Sequence, residues 1–406
     1  MCGIAGVITS NEKIDINHVL SVCSETQKHR GPDANDYKVF ATSGWKLGLA
    51  HQRLSVIDLS SSGIQPMLHK QSGSAIVYNG EVYNYKEIKD SLAETNYISS
   101  TDTEVVLTSL VENGIDKALQ EFNGMWGFAW YDKKSNKVYL CRDRVGIKPL
   151  YYYKNKDSFY FSSEIKTLLE ASGEKFQVNC QAVGEYLCQS LQDTSISTFY
   201  KNVYAVSPGH YLELDLNNDS LRIKETCYWN VTNAAPYSGN DLAGDIKTLF
   251  DDAVKLRMRS DVPVGVTLSG GLDSSAIASS MKACLQGNNM LNILSAVSPD
   301  SDLDESRFID IMTEYLGVEA NKVILDWNPA EAVELLKRVI WHNDTPVGSF
   351  SNVAHYLLMK RAHELGITVI LSGQGADELL CGYKKYLGFY IQSLLRNKKV
   401  FKAINV

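Results

Sequence analysis

A cysteine stands directly after the initiator methionine in MCGIAGVITS, and SGGLDSS occupies residues 269 to 275. If Met1 is removed, Cys2 carries both a thiol and a free α-amine. An amine titrating near about 8 would then be the base that a thiol of pKa about 8.5 needs before it attacks. Taken alone, a cysteine at position 2 reads better as an ordinary residue at a chain end. SGGLDSS follows the apolar run VPVGVTL and precedes a helical pattern. Gly270 and Gly271 let the backbone approach a ligand there, and the helix start offers unpaired N–H groups to an anion. Ser269, Ser274 and Ser275 add hydroxyl donors, and Asp273 adds a carboxylate. An isolated S-G-G would be a tight turn with Ser274 as a helix cap. The absence of G-K-[ST] excludes a Walker A loop. A second apolar run ends in LSGQGADELLCGY, where Ser372 and Gly373 precede Asp377. Alone, Asp377 reads as an acid in a helix's first turn. Two such loops, each after a strand, are expected side by side at one sheet edge, where Asp273 and Asp377 would share a metal.

The elements that must position these residues divide into two styles. With 406 residues the chain exceeds what one growing core holds, so two domains are expected. Residues 1 to 211 read as short aromatic strands in antiparallel hairpins (SAIVYNG, MWGFAWYD, KVYLCRD, SFYFSSE) interspersed with helices such as TEVVLTSLVENG, which Asn113-Gly114 should stop. Residues 212 to 242 are polar and turn-rich and read as a linker. From 243 to 406, strands alternate with helices, which predicts a doubly wound parallel sheet; VILDW is among the expected strands.

A composition 44% hydrophobic and 21% charged is that of an ordinary globular protein. A net charge of -7 argues against nonspecific nucleic-acid binding. The eight cysteines form no C-x-x-C pair and read as reduced thiols of a cytoplasmic protein. The apolar run from Gly3 to Ile8 is too short for a signal segment or a membrane span, so no membrane partner is expected. His29 and His51 read as packing or loop hydrogen-bonders, because an N-terminal nucleophile requires no imidazole.

SGGLDSS resembles the pyrophosphate loop of ATP pyrophosphatases, among them asparagine, argininosuccinate and GMP synthetases. HRGPD (29–33), AHQRLSVID (50–58), YNGEVYN (78–84) and STDTEVV (100–106), with Cys2, resemble the class II glutamine amidotransferases. In this order the motifs resemble the asparagine synthetase B family across essentially the whole chain. The resemblance implies an α+β N-terminal-nucleophile hydrolase sandwich, with antiparallel sheets between helix layers. An α/β doubly wound parallel sheet of the adenine-nucleotide α-hydrolase type would follow it. It implies that Cys2 attacks glutamine to give a thioester and that Asn79 and Gly80 form the oxyanion hole. Arg53, Asn79, Glu81 and Asp102 would bind glutamine, Arg53 at the α-carboxylate and the two acids at the ammonium. ATP would then activate a carboxylate, aspartate in the name-giving enzyme, as an acyl-adenylate, and ammonia arriving through an internal passage would displace AMP. Ser269, Gly270, Gly271, Asp273, Ser274, Ser275, Ser372 and Gly373 would hold ATP and pyrophosphate, and Asp273 and Asp377 would hold Mg2+. Family members are often homodimers.

Two departures stand out. Many relatives have S-G-E-G in the second loop, where this chain has Gln374, and a neutral amide cannot accept a proton. Relatives also normally continue past the point where this chain stops, so the second domain is expected to be incomplete at its C-terminal end. Alternatives therefore stay open: a same-family enzyme amidating another carboxylate, such as a sugar acid; a glutaminase joined to an inactive synthetase half; or a noncatalytic scaffold.

Overall fold

In a computed structural model, the described residues are 1–42, 44–285, 290–299 and 304–404. The first half runs β1 (Gly3–Thr9), α1 (Ile16–Thr26), β2 (Ala34–Ala41), β3 (Lys46–Arg53), β4 (Met67–Leu68), β5 (Ala75–Val82), α2 (Tyr85–Ser91), α3 (Asp102–Glu121), β6 (Gly124–Asp132) and β7 (Lys137–Arg142). It continues through β8 (Tyr151–Lys154), β9 (Ser158–Ser162), α4 (Ile165–Ser172), α5 (Cys180–Gln189), β10 (Val203–Ala205), β11 (His210–Asp215) and β12 (Arg222–Cys227).

These strands form two six-stranded antiparallel sheets, ordered β10-β8-β9-β1-β3-β2 and β12-β11-β7-β6-β5-β4. Alternation along β1 explains the layering. Ile4 and Ile8 point into the core between the sheets with Leu47, Leu49, Val77 and Phe161, while Ala5 and Val7 pack outward with Leu20 of α1 and Leu168 of α4. The other sheet buries Ile76 and Tyr78 against Val106 and Leu110 of α3. The result is the expected helix–sheet–sheet–helix sandwich.

Two readings need correction here. Residues 212 to 227, expected as linker, are largely the β11–β12 hairpin, paired from His210 with Cys227 to Asp215 with Arg222. The polar stretch NNDS is its turn, and alternate residues such as Leu212 and Leu214 enter the core. Gly114 breaks α3 at φ 74°, as glycine allows, but helix resumes directly after it rather than stopping.

The second half contains α6 (Leu242–Arg257), β13 (Val264–Thr267), α7 (Leu272–Cys284), β14 (Asn292–Val297), α8 (Ser306–Leu316), β15 (Ala320–Ile324), α9 (Pro329–Asn343), α10 (Ser351–Glu364), β16 (Val369–Leu371), α11 (Ala376–Leu380), α12 (Lys384–Arg396) and α13 (Val400–Ile404). Its four strands are parallel in the order β15-β14-β13-β16. Ile293 faces α7 and α8, and its neighbour Leu294 faces Leu358 and Ala362 of α10, so helices cover both faces. The strand expected at VILDW lies at Ala320–Ile324 instead, where the backbone pairs with β14.

Two compact units result: Met1–Asp245 with Arg259–Asp261 and Leu336–Ser349, and Ile246–Met258 with Val262–Leu335 and Phe350–Val406. Among the described residues no helix is long and apolar enough to cross a membrane.

Candidate functional site

In the first unit, Cys2 immediately precedes β1, whose Gly3 pairs with Gln52 of β3. The register delivers Cys2 to the end of β3: Leu54 N donates to Sγ at 3.4 Å, and Sγ lies 3.6 Å from Leu54 O. Arg30 Nε donates to the Cys2 carbonyl at 2.9 Å. The amino group of Met1 is lowered to about 5, chiefly because burial strips it of water.

Arg53, the last residue of β3, is buried. Its guanidinium donates to Ser60 O at 2.6 Å and to Asp58 O. Gly63 has no room for a Cβ, because Arg53 and the methyl of Thr101, the residue that caps α3 ahead of Asp102, both stand against it.

Across the sandwich, β5 carries Asn79, Gly80 and Glu81, opposite Gly127, Trp126 and Met125 of β6. Asn79 is buried, and among the described residues neither its Nδ2 nor its Oδ1 finds a partner. Such a side chain is costly to bury without a partner. A Cβ at Gly80 would collide with the backbone of β6. Asp102, at the start of α3, accepts from Tyr78 Oη and Val82 N, both at 2.9 Å, and burial raises its carboxyl to about 6. His51 Nε2–H donates to Tyr78 O at 3.2 Å, and burial lowers the ring to about 3. It is a buried neutral ring bridging the sheets.

Sequence reasoning missed Lys148. Asp143 accepts from the backbone N–H groups of Val145, Ile147 and Lys148 at 3.2, 2.9 and 2.8 Å, and this fixes the loop that buries the lysine. Burial lowers Lys148 to about 8, Arg30 pushes it the same way, and Cys2 and Glu81 oppose. Those four groups thus share one electrostatic neighbourhood. Within RVGIKPL nothing distinguishes Lys148 from a solvated loop lysine.

In the second unit, the loops after β13 and β16 leave adjacent parallel strands, Val266 pairing with Leu371. The chain moves outward from β13 through β14 to β15 and then returns to β16 on the other side of β13. The two loops therefore flank the topological switch point, where ligands bind in such sheets. Gly270 has φ 78° and packs so closely on Phe308 that no Cβ fits. Ser274 Oγ accepts from Ser269 N at 3.2 Å and lies 3.1 Å from Ser269 Oγ, while Gly271 N donates to Ser269 Oγ at 3.3 Å. Ser275 sits in the first turn of α7.

A Cβ on Gly373 would stand 3.1 Å from Asp273 Cβ and 3.2 Å from Ser274 N, so the two loops do lie side by side. Ser372 precedes that contact, and Asp377 follows in α11 with Oδ1 turned against Gly382. Among the described residues no three His, Cys, Asp or Glu side chains group as a metal site. One or two carboxylates suffice for Mg2+ held mainly by phosphate oxygens, and Asp273 at the loop contact fits that use.

Residues 1–229 match the glutamine amidotransferase domain, and residues 245–399 match asparagine synthase. A putative glutamine-hydrolysing asparagine synthetase 2 of Methanocaldococcus jannaschii is 34% identical over 100% of this chain and 80% of its own length. The chain belongs to the glutamine-hydrolysing asparagine synthetase family. Asparagine synthetase 2 of Bacillus subtilis is 31% identical over 95% of this chain and 53% of its own length. The amidase chry2 of Gibberella zeae is 29% identical over 95% of this chain and 60% of its own length. The chain thus spans little more than half of some family members and four-fifths of another.

Proposed function

We propose that the protein hydrolyses glutamine at Cys2 and uses the ammonia, with ATP, to convert a carboxylate to its amide, aspartate to asparagine being the leading case. The observation that carries this reading is Asn79, a buried amide with no partner on either polar atom among the described residues, on the strand where Gly80 is packed too closely against β6 for any side chain. With Met1 removed, the Cys2 amine takes the thiol proton and Sγ bonds to the amide carbon. The oxyanion accepts from Asn79 Nδ2–H and Gly80 N–H, the protonated Cys2 amine passes its proton to the departing nitrogen so that ammonia leaves as the C–N bond breaks, and water then hydrolyses the thioester to glutamate and restores the thiol. Arg53 pairs with the glutamine α-carboxylate, Asp102 and Glu81 with its ammonium.

In the second unit, Ser269, Gly270, Gly271, Ser274 and Ser275 hold pyrophosphate at the start of α7, and Ser372 and Gly373 border the nucleotide. Asp273 and Asp377 would hold Mg2+, which neutralises phosphate charge. Gln374, exposed in the second loop, and the amidase among the relatives favour a second reading with another carboxylate as acceptor.

The test is glutamate release from glutamine with Cys2→Ala as control, together with ATP-dependent pyrophosphate release across a panel of carboxylates with ammonium supplied. Glutamate release that survives Cys2→Ala would remove the nucleophile assignment. Absence of ATP-dependent pyrophosphate release with every carboxylate in the panel would remove the synthetase assignment.

A further inference from the structure

Arg30, which holds the Cys2 carbonyl, is itself held. Its Nη1 donates to Glu164 Oε1 at 3.0 Å, and the same oxygen lies 2.9 Å from His29 Nε2. Glu164 Oε2 accepts from Lys166 Nζ at 2.7 Å, and Lys166 Nζ in turn lies 2.9 Å from Asp344 Oδ1. Asp344 Oδ2 accepts from Ile165 N at 2.7 Å, the first N–H of α4, which no side chain of its own cap satisfies. The Arg30, Glu164, Lys166 and Asp344 side chains are 9, 4, 13 and 7% exposed, so these charges are held by one another rather than by water. The two cations and Glu164's partnership with His29 outweigh burial and lower Glu164 to about 2, so it is ionised throughout the working range. Burial pushes Asp344 up, and Lys166 only partly offsets it.

Asp344 lies inside the stretch that matches asparagine synthase, yet it belongs to the first compact unit. Its segment is anchored there: Tyr186 Oη donates to Val347 O at 2.9 Å, Trp341 packs 4.8 Å from His29, and Lys166 Nζ sits 4.7 Å over the Trp341 ring. Asp344 adopts φ 61°, a left-handed conformation that Asp and Asn tolerate best among residues with a side chain.

We propose that Asp344 is a positioning residue for the glutaminase nucleophile, acting through Lys166, Glu164 and Arg30 on the Cys2 backbone. The proposal rests on the reading of Cys2 as nucleophile. It adds that the amidotransferase match alone lacks part of the machinery that holds Cys2, which is supplied from the synthase-type stretch. Displacement of that stretch, on this account, changes the rate of glutamine hydrolysis without touching the glutamine-binding side chains. A shift of the nucleophile by a fraction of an ångström is enough to matter, because attack depends on near-contact alignment.

The experiment uses the full chain with Asp344→Asn, which keeps the backbone preference and removes the charge, together with Lys166→Met and Lys166→Arg. Steady-state glutaminase kinetics and the rate of Cys2 alkylation by iodoacetamide, read at the Cys2 peptide by mass spectrometry, are both measured. Asp344→Asn and Lys166→Met are expected to lower kcat about tenfold with KM for glutamine changed less than about twofold, and to alter the Cys2 alkylation rate. Lys166→Arg is expected to restore most of kcat. Unchanged kcat and alkylation in folded Asp344→Asn and Lys166→Met would overturn the proposal, as would a change confined to KM. If wild type releases no glutamate, the glutaminase reading fails by itself, and an altered alkylation rate still registers the coupling to Cys2.

Discussion

Around Asn79 the first unit keeps its polar groups inside: Asn79, Arg53, Asp102 and Lys148 are all buried, on strands, a helix start and a loop fixed by hydrogen bonds. At the SGGLDSS junction the second unit is more open, and of its three serines Ser274 alone is buried. Gly271 and Leu272 are exposed, Ser269 and Ser274 bond to each other, and the helix start is left open. The contrast separates two ways of holding a charged ligand. A buried, unpartnered amide carries its desolvation cost before ligand arrives, so the site is preorganised. Hydroxyls that satisfy one another carry little such cost and are free to exchange partners. Mutations should therefore act on rate in the first unit, and on local order and ligand retention in the second.

The largest effect is expected at Asn79. Asn79→Ala removes an oxyanion donor and should lower kcat for glutamine hydrolysis about a hundredfold to a thousandfold, with little change in KM. Because the lost groups have no partner among the described residues, the melting temperature should not fall and should rise slightly. Steady-state kinetics and calorimetry on the same variant check both halves. A loss of stability without a loss of rate would erase the distinction between the two units.

Asp102 gives the next effect, and its sign follows from burial. Its carboxyl is raised from 3.8 to about 6, so in that window the folded protein holds a proton that the unfolded chain has released. This contribution to stability is full below the unfolded pKa and is lost as pH rises through the folded value. An ammonium ligand prefers the ionised carboxylate. kcat/KM for glutamine should accordingly fall by up to about tenfold per unit as pH drops below the Asp102 value. Asp102→Asn should lower kcat/KM by about a hundredfold at neutral pH and abolish this acid limb. A pH–rate profile that keeps the limb in the variant would place the titration elsewhere.

What was legible in the sequence follows the same contrast. Cys2, Arg53, Asn79, Gly80 and Asp102 lie in contiguous motifs, and the parallel strands announce themselves as apolar runs before glycine-rich loops. The side-by-side loops could be expected because both follow strands of one sheet, and Gly373 against Asp273 bears out that expectation. Arg30, Lys148, Glu164, Lys166 and Asp344 were not legible as a set, because they come from four separate segments and each resembles a surface charge or a turn residue. Their burial is a property of tertiary packing alone. The β11–β12 hairpin was misread for a related reason: its NNDS turn is as polar as a linker, and Leu212 and Leu214 betray a strand only when the partner β7 is known.

The smallest effect is expected at Ser274. Ser274→Ala removes the hydroxyl that accepts from Ser269 N and donates to Gly271 O at 3.3 Å. The neighbouring groups are near solvent, so water replaces much of what is lost, and the cost to stability should be about 1 kcal/mol. That corresponds to a fall of roughly 2–4 °C in melting temperature for a unit of this size. Glutamine hydrolysis should be unchanged, whereas ATP-dependent pyrophosphate release should fall about fivefold to tenfold, mainly through KM for ATP, because a ligand-facing donor is lost along with the loop's internal bond. Calorimetry and the two assays on one preparation decide it. A drop in kcat with KM for ATP unchanged would mean that this loop, like the Asn79 strand, is organised before ligand arrives, and the contrast between the units would then lie in exposure alone.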